Sequence, residues 1–266
     1  MPDQLTRLVQ EMHGTGSAVV VVSPHLDDAV LSCGALLTQL ARRCPVTVLT
    51  VFTAAAQLPW SLAARSQLRA LGVADAEVLF EQRRAEDHAV LAEVGAAVVH
   101  LGLRDALFRR VGEAAGGPPG PGRRPAYPTF RFHAGRGRVA RSEAGLPAEV
   151  GALVGEVVRA SGAGVVFAPL GIGRHVDHLI TRRAARGLGA RTIYYSDFPY
   201  SETAVPDPGF VRRAALVPHP WLSGRAENAN RIAGYRTQVP GLFPHGMVPT
   251  RPEIYWIPAK DSAAAA

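Results

Sequence analysis

Two clusters of histidine and aspartate mark where this 266-residue chain could do chemistry: His25 with Asp27 and Asp28, and His175 with Asp177 and His178. His25 and Asp28 pair an imidazole nitrogen with a hard carboxylate oxygen at short spacing, which suits zinc or a similar divalent ion. Asp27, beside a ligand but pointing elsewhere, is placed to take a proton from a water on that ion. Simple capping also explains an Asp-Asp pair at the start of a helix. The second cluster argues against capping alone. Two imidazoles and a carboxylate need polar partners when buried, and His175 and His178, three apart, share one face of a helical turn. A three-ligand set built on His25 and Asp28 needs one more histidine, leaving the open fourth position of a catalytic zinc. A carboxylate base and a histidinium that steadies an oxyanion and protonates a leaving amine complete the equipment of metal-assisted amide hydrolysis.

Each cluster follows a buried apolar run and opens a helix, which is how a parallel sheet presents groups at the carboxyl ends of its strands. Residues 17–22 read as the first strand, 28–43 as a helix and 46–52 as a second strand, the first crossover unit of a parallel sheet. Gly34 inside that helix predicts close packing against the sheet. Residues 57–72 are helix-compatible, 81–94 form a helix closed by Gly95, and 96–101 form a third strand leading to Asp105. A helix over 149–160, a strand over 164–170 and a helix over 176–186 carry the second cluster. Strands at 192–196, 214–217 and 253–257 and a helix over 228–237 complete the pattern. The fold class is α/β, a Rossmann-like three-layer α/β/α sandwich with a mostly parallel sheet. It is read as a single domain over 1–266 with a mobile Gly/Pro-rich loop at 112–126.

Composition supports a packed domain, with 47% hydrophobic and 19% charged residues. The formal charge of +7 comes from arginine, since Lys260 is the one lysine. No basic run is interleaved with aromatics, so nucleic acid is not an expected partner. Cys33 and Cys44 read as reduced core thiols of a cytoplasmic protein. No signal peptide and no transmembrane segment is read from the sequence.

The motifs Pro24-His25-Leu26-Asp27-Asp28 and His175-Val176-Asp177-His178 closely resemble those of the LmbE-like, or PIG-L, zinc-dependent N-acetylglucosaminyl de-N-acetylases. The resemblance runs from about residue 17 to 240. It implies one Zn2+ per chain, or another divalent metal such as Fe2+, held by His25, Asp28 and His178. It implies Asp27 as general base, His175 as oxyanion stabiliser and acid, and Asp177 as the residue that tunes and orients a histidine. Arg83 or Arg84, Asp105, and Tyr235 and Gln238 of Tyr235-Arg236-Thr237-Gln238 resemble positions that contact sugar hydroxyls or belong to a late family signature. Leu26 and Ala29 depart from the commoner proline and glutamate, and neither is a ligand position. The Leu26-to-Ser32 form looks most like the deacetylases of glycopeptide-antibiotic pseudoaglycones.

The expected activity is removal of an N-acetyl, or other N-acyl, group from an N-acetylglucosamine-type sugar in antibiotic biosynthesis. The substrate would be a small molecule or a glycoconjugate. The alternative is a non-catalytic Rossmann-like sugar- or nucleotide-binding protein, but the first strand lacks a glycine-rich phosphate loop. Phe198-Pro199-Tyr200, His219-Pro220-Trp221 and Leu242-Phe243-Pro244-His245 either line a wide, partly apolar cleft or are ordinary packed loops.

Overall fold

The computed structural model describes residues 3–113 and 123–259. The centre of the expected mobile loop therefore lies outside the described residues. Its flanks come together, with Arg110 bridging Pro125 and Ala126 N–H donating to Arg109 O at 2.9 Å.

The strands are β1 (Val19–Ser23), β2 (Val46–Ala54), β3 (Ala97–Arg104), β4 (Val165–Pro169), β5 (Arg191–Tyr195), β6 (Leu216–Trp221) and β7 (Glu253–Pro258). The helices are α1 (Gln4–Thr15), α2 (Asp28–Leu40), α3 (Leu62–Ala70), α4 (Ala76–Val94), α5 (Leu146–Ser161), α6 (Val176–Ala184), α7 (Pro208–Arg213), α8 (Arg225–Ile232) and α9 (Val239–Leu242). The strands form one sheet in the order β3-β2-β1-β4-β5-β7-β6, parallel except where β7 pairs with β5 and β6.

β1 is buried along its whole length because four consecutive valines satisfy both faces of the pleat. Val19 and Val21 pack with Leu36, Leu37 and Leu91 on the α2/α4 side, while Val20 and Val22 pack with Val150 and Val154 of α5 on the other. That is the expected three-layer sandwich. From β1 the chain proceeds through β2 and β3 in one direction, and from β4 through β5 in the other. The carboxyl ends of β1 and β4 thus flank the switch point, the crevice where open α/β sheets bind ligands.

Several boundaries differ from the sequence reading. The polar start of the chain is a helix that buries Leu5, Leu8, Val9 and Met12. α4 starts earlier than expected because Asp75 caps it, accepting from Glu77 N–H at 2.7 Å. Gly34 makes room for Asn228 of α8 rather than for the sheet. The helix expected over 228–237 ends at Ile232, so Tyr235 to Gln238 form a turn over the sheet's carboxyl edge.

Candidate active site

The two histidine loops are shaped locally. After β1, Ser23 Oγ donates to His25 O at 2.7 Å and accepts Ala29 N–H at 3.1 Å, taking the capping role. Asp27 stands at the N-cap position of α2 yet makes no side-chain cap bond. Capping therefore does not explain the Asp-Asp pair. After β4, Gly171 and Gly173 both have φ of +81°, and a Cβ at Gly173 would lie 2.7 Å from the Tyr200 ring. Only glycine allows this tight turn, and it delivers His175 to the N-cap of α6.

One hollow of about 120 Å³ is lined by His25, Asp27, Asp28, Arg83, Asp105, His175 and Gln238. His178 and Asp177 lie fully buried behind them. Asp28 Oδ2 stands 3.2 Å from His25 Nδ1 and 3.3 Å from His178 Nε2. His178 Nε2 is buried with no hydrogen-bond partner, although its other nitrogen is bonded to Asp197 Oδ1 at 2.6 Å. The arrangement is that of a metal-ligating histidine whose second nitrogen is oriented by a carboxylate. His25 repeats it, with Nε2 bonded to Asp177 Oδ2 at 3.1 Å and Nδ1 turned toward Asp28. The ring nitrogens of His25, His175 and His178 also fall within 4.8 Å of one another, as do donor atoms of His25, Asp105 and Asp177. This histidine–aspartate cluster is compatible with a metal site. Asp177 is the poorer ligand of the second group, since its oxygens are taken by His25, Ala106 N–H at 2.9 Å and Arg109 Nη2 at 2.6 Å.

The electrostatics separate adjacent carboxylates. Burial, and then the charge of Asp28, push Asp27 up to about 7. Asp27 has no hydrogen-bond or ion-pair partner among the described residues. Burial would also raise Asp28, but His178 and His25 outweigh it and hold Asp28 at about 2. Asp177 lies well below the usual carboxylate range because Arg109 and His25 overcome its burial. Burial drives His175 down to about 3. Its ring is neutral, and its Nδ1 accepts Asp177 N–H at 3.3 Å, so Nε2 carries the hydrogen.

Arg83 and Arg84 part company. Arg83 is buried, stacks over Phe80 at 5.0 Å and leaves Nε without an acceptor. Arg84 turns away, bonding Thr53 O at 3.0 Å and Glu77 at 2.9 Å. Gln238 reaches the hollow and donates to Leu26 O at 2.8 Å. Tyr235 does not, because its buried hydroxyl donates to Asp87 at 2.8 Å. Of the aromatic-proline stretches, Pro199, Tyr200 and Leu242 line the hollow, whereas Phe198 and Phe243 stack in the core at 5.7 Å. His219 to Trp221 lie in edge strand β6, and His245 is exposed.

Residues 20–188 match the PIG-L family, described as GlcNAc-PI de-N-acetylase. The chain belongs to this family. Within it, the chain is 36% identical over 194 residues to 2'-N-acetylparomamine deacetylase of Streptomyces fradiae, which covers 68% of this chain and 57% of that protein. The chain thus spans less than two thirds of that relative's length. Teicoplanin deacetylase Orf2, solved in a zinc-inhibited form, superposes with a TM-score of 0.73 at 26% identity over 92% of this chain and all of that one. The A40926 pseudoaglycone deacetylase Dbv21 gives 0.67 at 25% identity, covering 91% of this chain and 96% of that one. The PIG-L resemblance read from the two motifs holds, as does the fold.

Asp197 and Arg109 were not singled out in the sequence. Asp197 lies two residues past the end of β5, so it obeys the same strand-end rule as His25 and His175 and was legible by that rule. Arg109 offered no such signal.

Proposed function

We propose that this PIG-L chain is a metal-dependent N-deacetylase that releases acetate from an N-acetylated amino sugar of an antibiotic precursor, with zinc held by His25, Asp28 and His178. The orphaned His178 Nε2, aimed with His25 Nδ1 at one Asp28 oxygen, carries the reading. Zinc, when bound, supplies a Lewis acid for the amide carbonyl and lowers the pKa of a water toward ~7.

Asp27 takes the proton of the attacking water. It is unpartnered, beside the ligand Asp28, and burial has brought its basicity to about 7, close to working pH. His175 donates its Nε2–H to the oxygen that becomes negative as the carbonyl carbon turns tetrahedral. Its neutrality replaces the histidinium expected from the sequence: a buried imidazole among His25, His178 and Arg109 sheds its charge. Collapse of the tetrahedral carbon needs a proton on the leaving nitrogen, and Asp27, protonated by the attacking water, returns it there while the neutral His175 keeps its own. Asp177 positions His25 rather than His175 through its side chain. Arg83, Asp105 and Gln238 line the same hollow and are assigned to the sugar hydroxyls. Arg84 and Tyr235 lie outside it and are left out of this assignment.

The family and the relatives, deacetylases of an aminoglycoside precursor and of glycopeptides, support an antibiotic amino sugar as substrate. Among the described residues no helix is long and apolar enough to cross a membrane, and a cytoplasmic location belongs to the same proposal. The test is metal analysis of purified protein, reconstituted separately with zinc and iron, together with acetate release from N-acetylglucosaminyl compounds. Bound metal with chelator-sensitive acetate release is expected. No metal uptake after reconstitution would overturn the mechanism.

A further inference from the structure

The catalytic hollow does not end at its own wall. Gln67, Leu107 and Phe130 line it and also line a neighbouring groove of about 510 Å³. One wall of that groove is a face of α3, where Leu62, Ser66 and Ala70 recur every four residues and stand exposed. The opposite wall is Phe130, 46% exposed, whose ring centre lies 5.5 Å from that of His175. Leu62, 60% exposed, and Phe130 thus put two open apolar side chains in one groove that adjoins the His175 imidazole. The groove's charge is equally informative. None of the described residues lining it is ionisable, and the carboxylates lining the adjoining hollow are Asp27 and Asp28 of the proposed metal and base positions and Asp105, which accepts Leu107 N–H and lies 3.5 Å from His25 Nε2. Recognition of ammonium groups needs carboxylates, which this arm does not supply.

We propose that the groove between α3 and Phe130 binds an uncharged, largely apolar aglycone, aromatic or alkyl, attached to the amino sugar whose N-acetyl group faces the histidines. The inference rests on the deacetylase reading to fix which part of the substrate occupies the hollow. It distinguishes this chain's substrate from a polycationic aminoglycoside, which would place ammonium groups against Leu62, Ala70 and Phe130. An aryl group seated there removes apolar surface from water, less the cost of ordering it.

Metal-loaded protein would be titrated calorimetrically with methyl and 4-methylumbelliferyl N-acetyl-β-glucosaminide, and acetate release measured for both. The aryl glycoside should bind at least about tenfold more tightly, about 1.4 kcal/mol. Ser66→Glu, or Ala70→Glu one turn on, should cut that preference below about threefold; both sites are exposed on a helix and glutamate is a good helix former. Equal affinity for the two glycosides would overturn the inference. So would tighter binding of an N-acetylated 2-deoxystreptamine glycoside. A gain on lengthening the acyl group from acetyl to octanoyl, with no dependence on the aglycone, would make this an acyl site and overturn it too. Acetate release without aryl preference would leave the deacetylase standing and remove the groove; aryl preference without release would do the reverse.

Discussion

Asp27 and Glu253 are both buried carboxyls, and burial pushes both up to about 7. Their surroundings differ completely. Glu253, on β7, accepts Ala35 N–H at 2.6 Å, Leu36 N–H at 3.0 Å and Tyr255 O–H at 2.8 Å, pinning the sheet to α2. Asp27 lies among groups left open: His178 Nε2, 3.3 Å from Asp28 Oδ2, and Arg83 Nε are buried without a hydrogen bond. A raised pKa alone therefore does not mark a functional residue, because structural networks perturb titration as well. Unpaired buried atoms also occur at Thr181, His219, Trp221 and Asn228, so what marks the site is that such atoms gather around a raised carboxyl in one hollow, where a ligand can complete them.

Breaking the open network should have the largest effects. His178→Ala removes the orphaned ligand. Metal content should fall from about one equivalent to background, and acetate release should drop by more than about a thousandfold. Elemental analysis of the purified variant checks this, and retention of stoichiometric metal would remove His178 from the ligand set. Asp27→Asn spares the ligands, so metal should stay while kcat falls by about 10²–10⁴ with little change in KM. A kcat near wild type would assign the base elsewhere. Asp197→Ala acts one bond further out. Without the carboxylate on His178 Nδ1, metal affinity should weaken about 10- to 100-fold, and Asp197→Asn, which keeps an oxygen there, should cost less. Competition with a fluorescent chelator measures both.

The sequence carried the histidine–aspartate cluster because strand-end chemistry is local. A buried apolar run followed by His-x-Asp-Asp, or by His-x-Asp-His, can be read without knowing what packs on it. The same rule applied to β5 would have reached Asp197. What stayed hidden depends on distant packing. Arg83 and Arg84 are neighbours on one helix, and only the position of Phe80 and Thr53 decides which faces the hollow. Tyr235 sits three residues from Gln238, yet Asp87 of α4 captures its hydroxyl across the fold while Gln238 reaches Leu26. Gly34 announced a close approach without naming Asn228 as its cause. The groove beside Phe130 is assembled from three segments, α3, Leu107 and Phe130, none of which carries a motif.

An effect on stability alone, with none on the metal, tests the closed network. Glu253 has an ordinary value of 4.5 in an unfolded chain and about 7 when folded, because burial outweighs the backbone amides and the Tyr255 hydroxyl. Between these values the native state holds more protons than the unfolded one, so the stability Glu253 contributes is full below 4.5 and is lost as pH rises through 7. The loss is at most about 3 kcal/mol. Glu253→Gln cannot titrate. It should lower stability at pH 5 by leaving one of the α2 amides or the tyrosine less well bonded, and its difference from wild type should shrink by up to that amount at pH 8. Urea unfolding of both proteins at the two pH values measures the difference, in which all other titrating groups cancel. Metal content should not change, because none of the groups Glu253 bonds touches His25, Asp28 or His178. A pH-independent difference would mean that Glu253 titrates normally, and loss of metal would mean that the two networks are one.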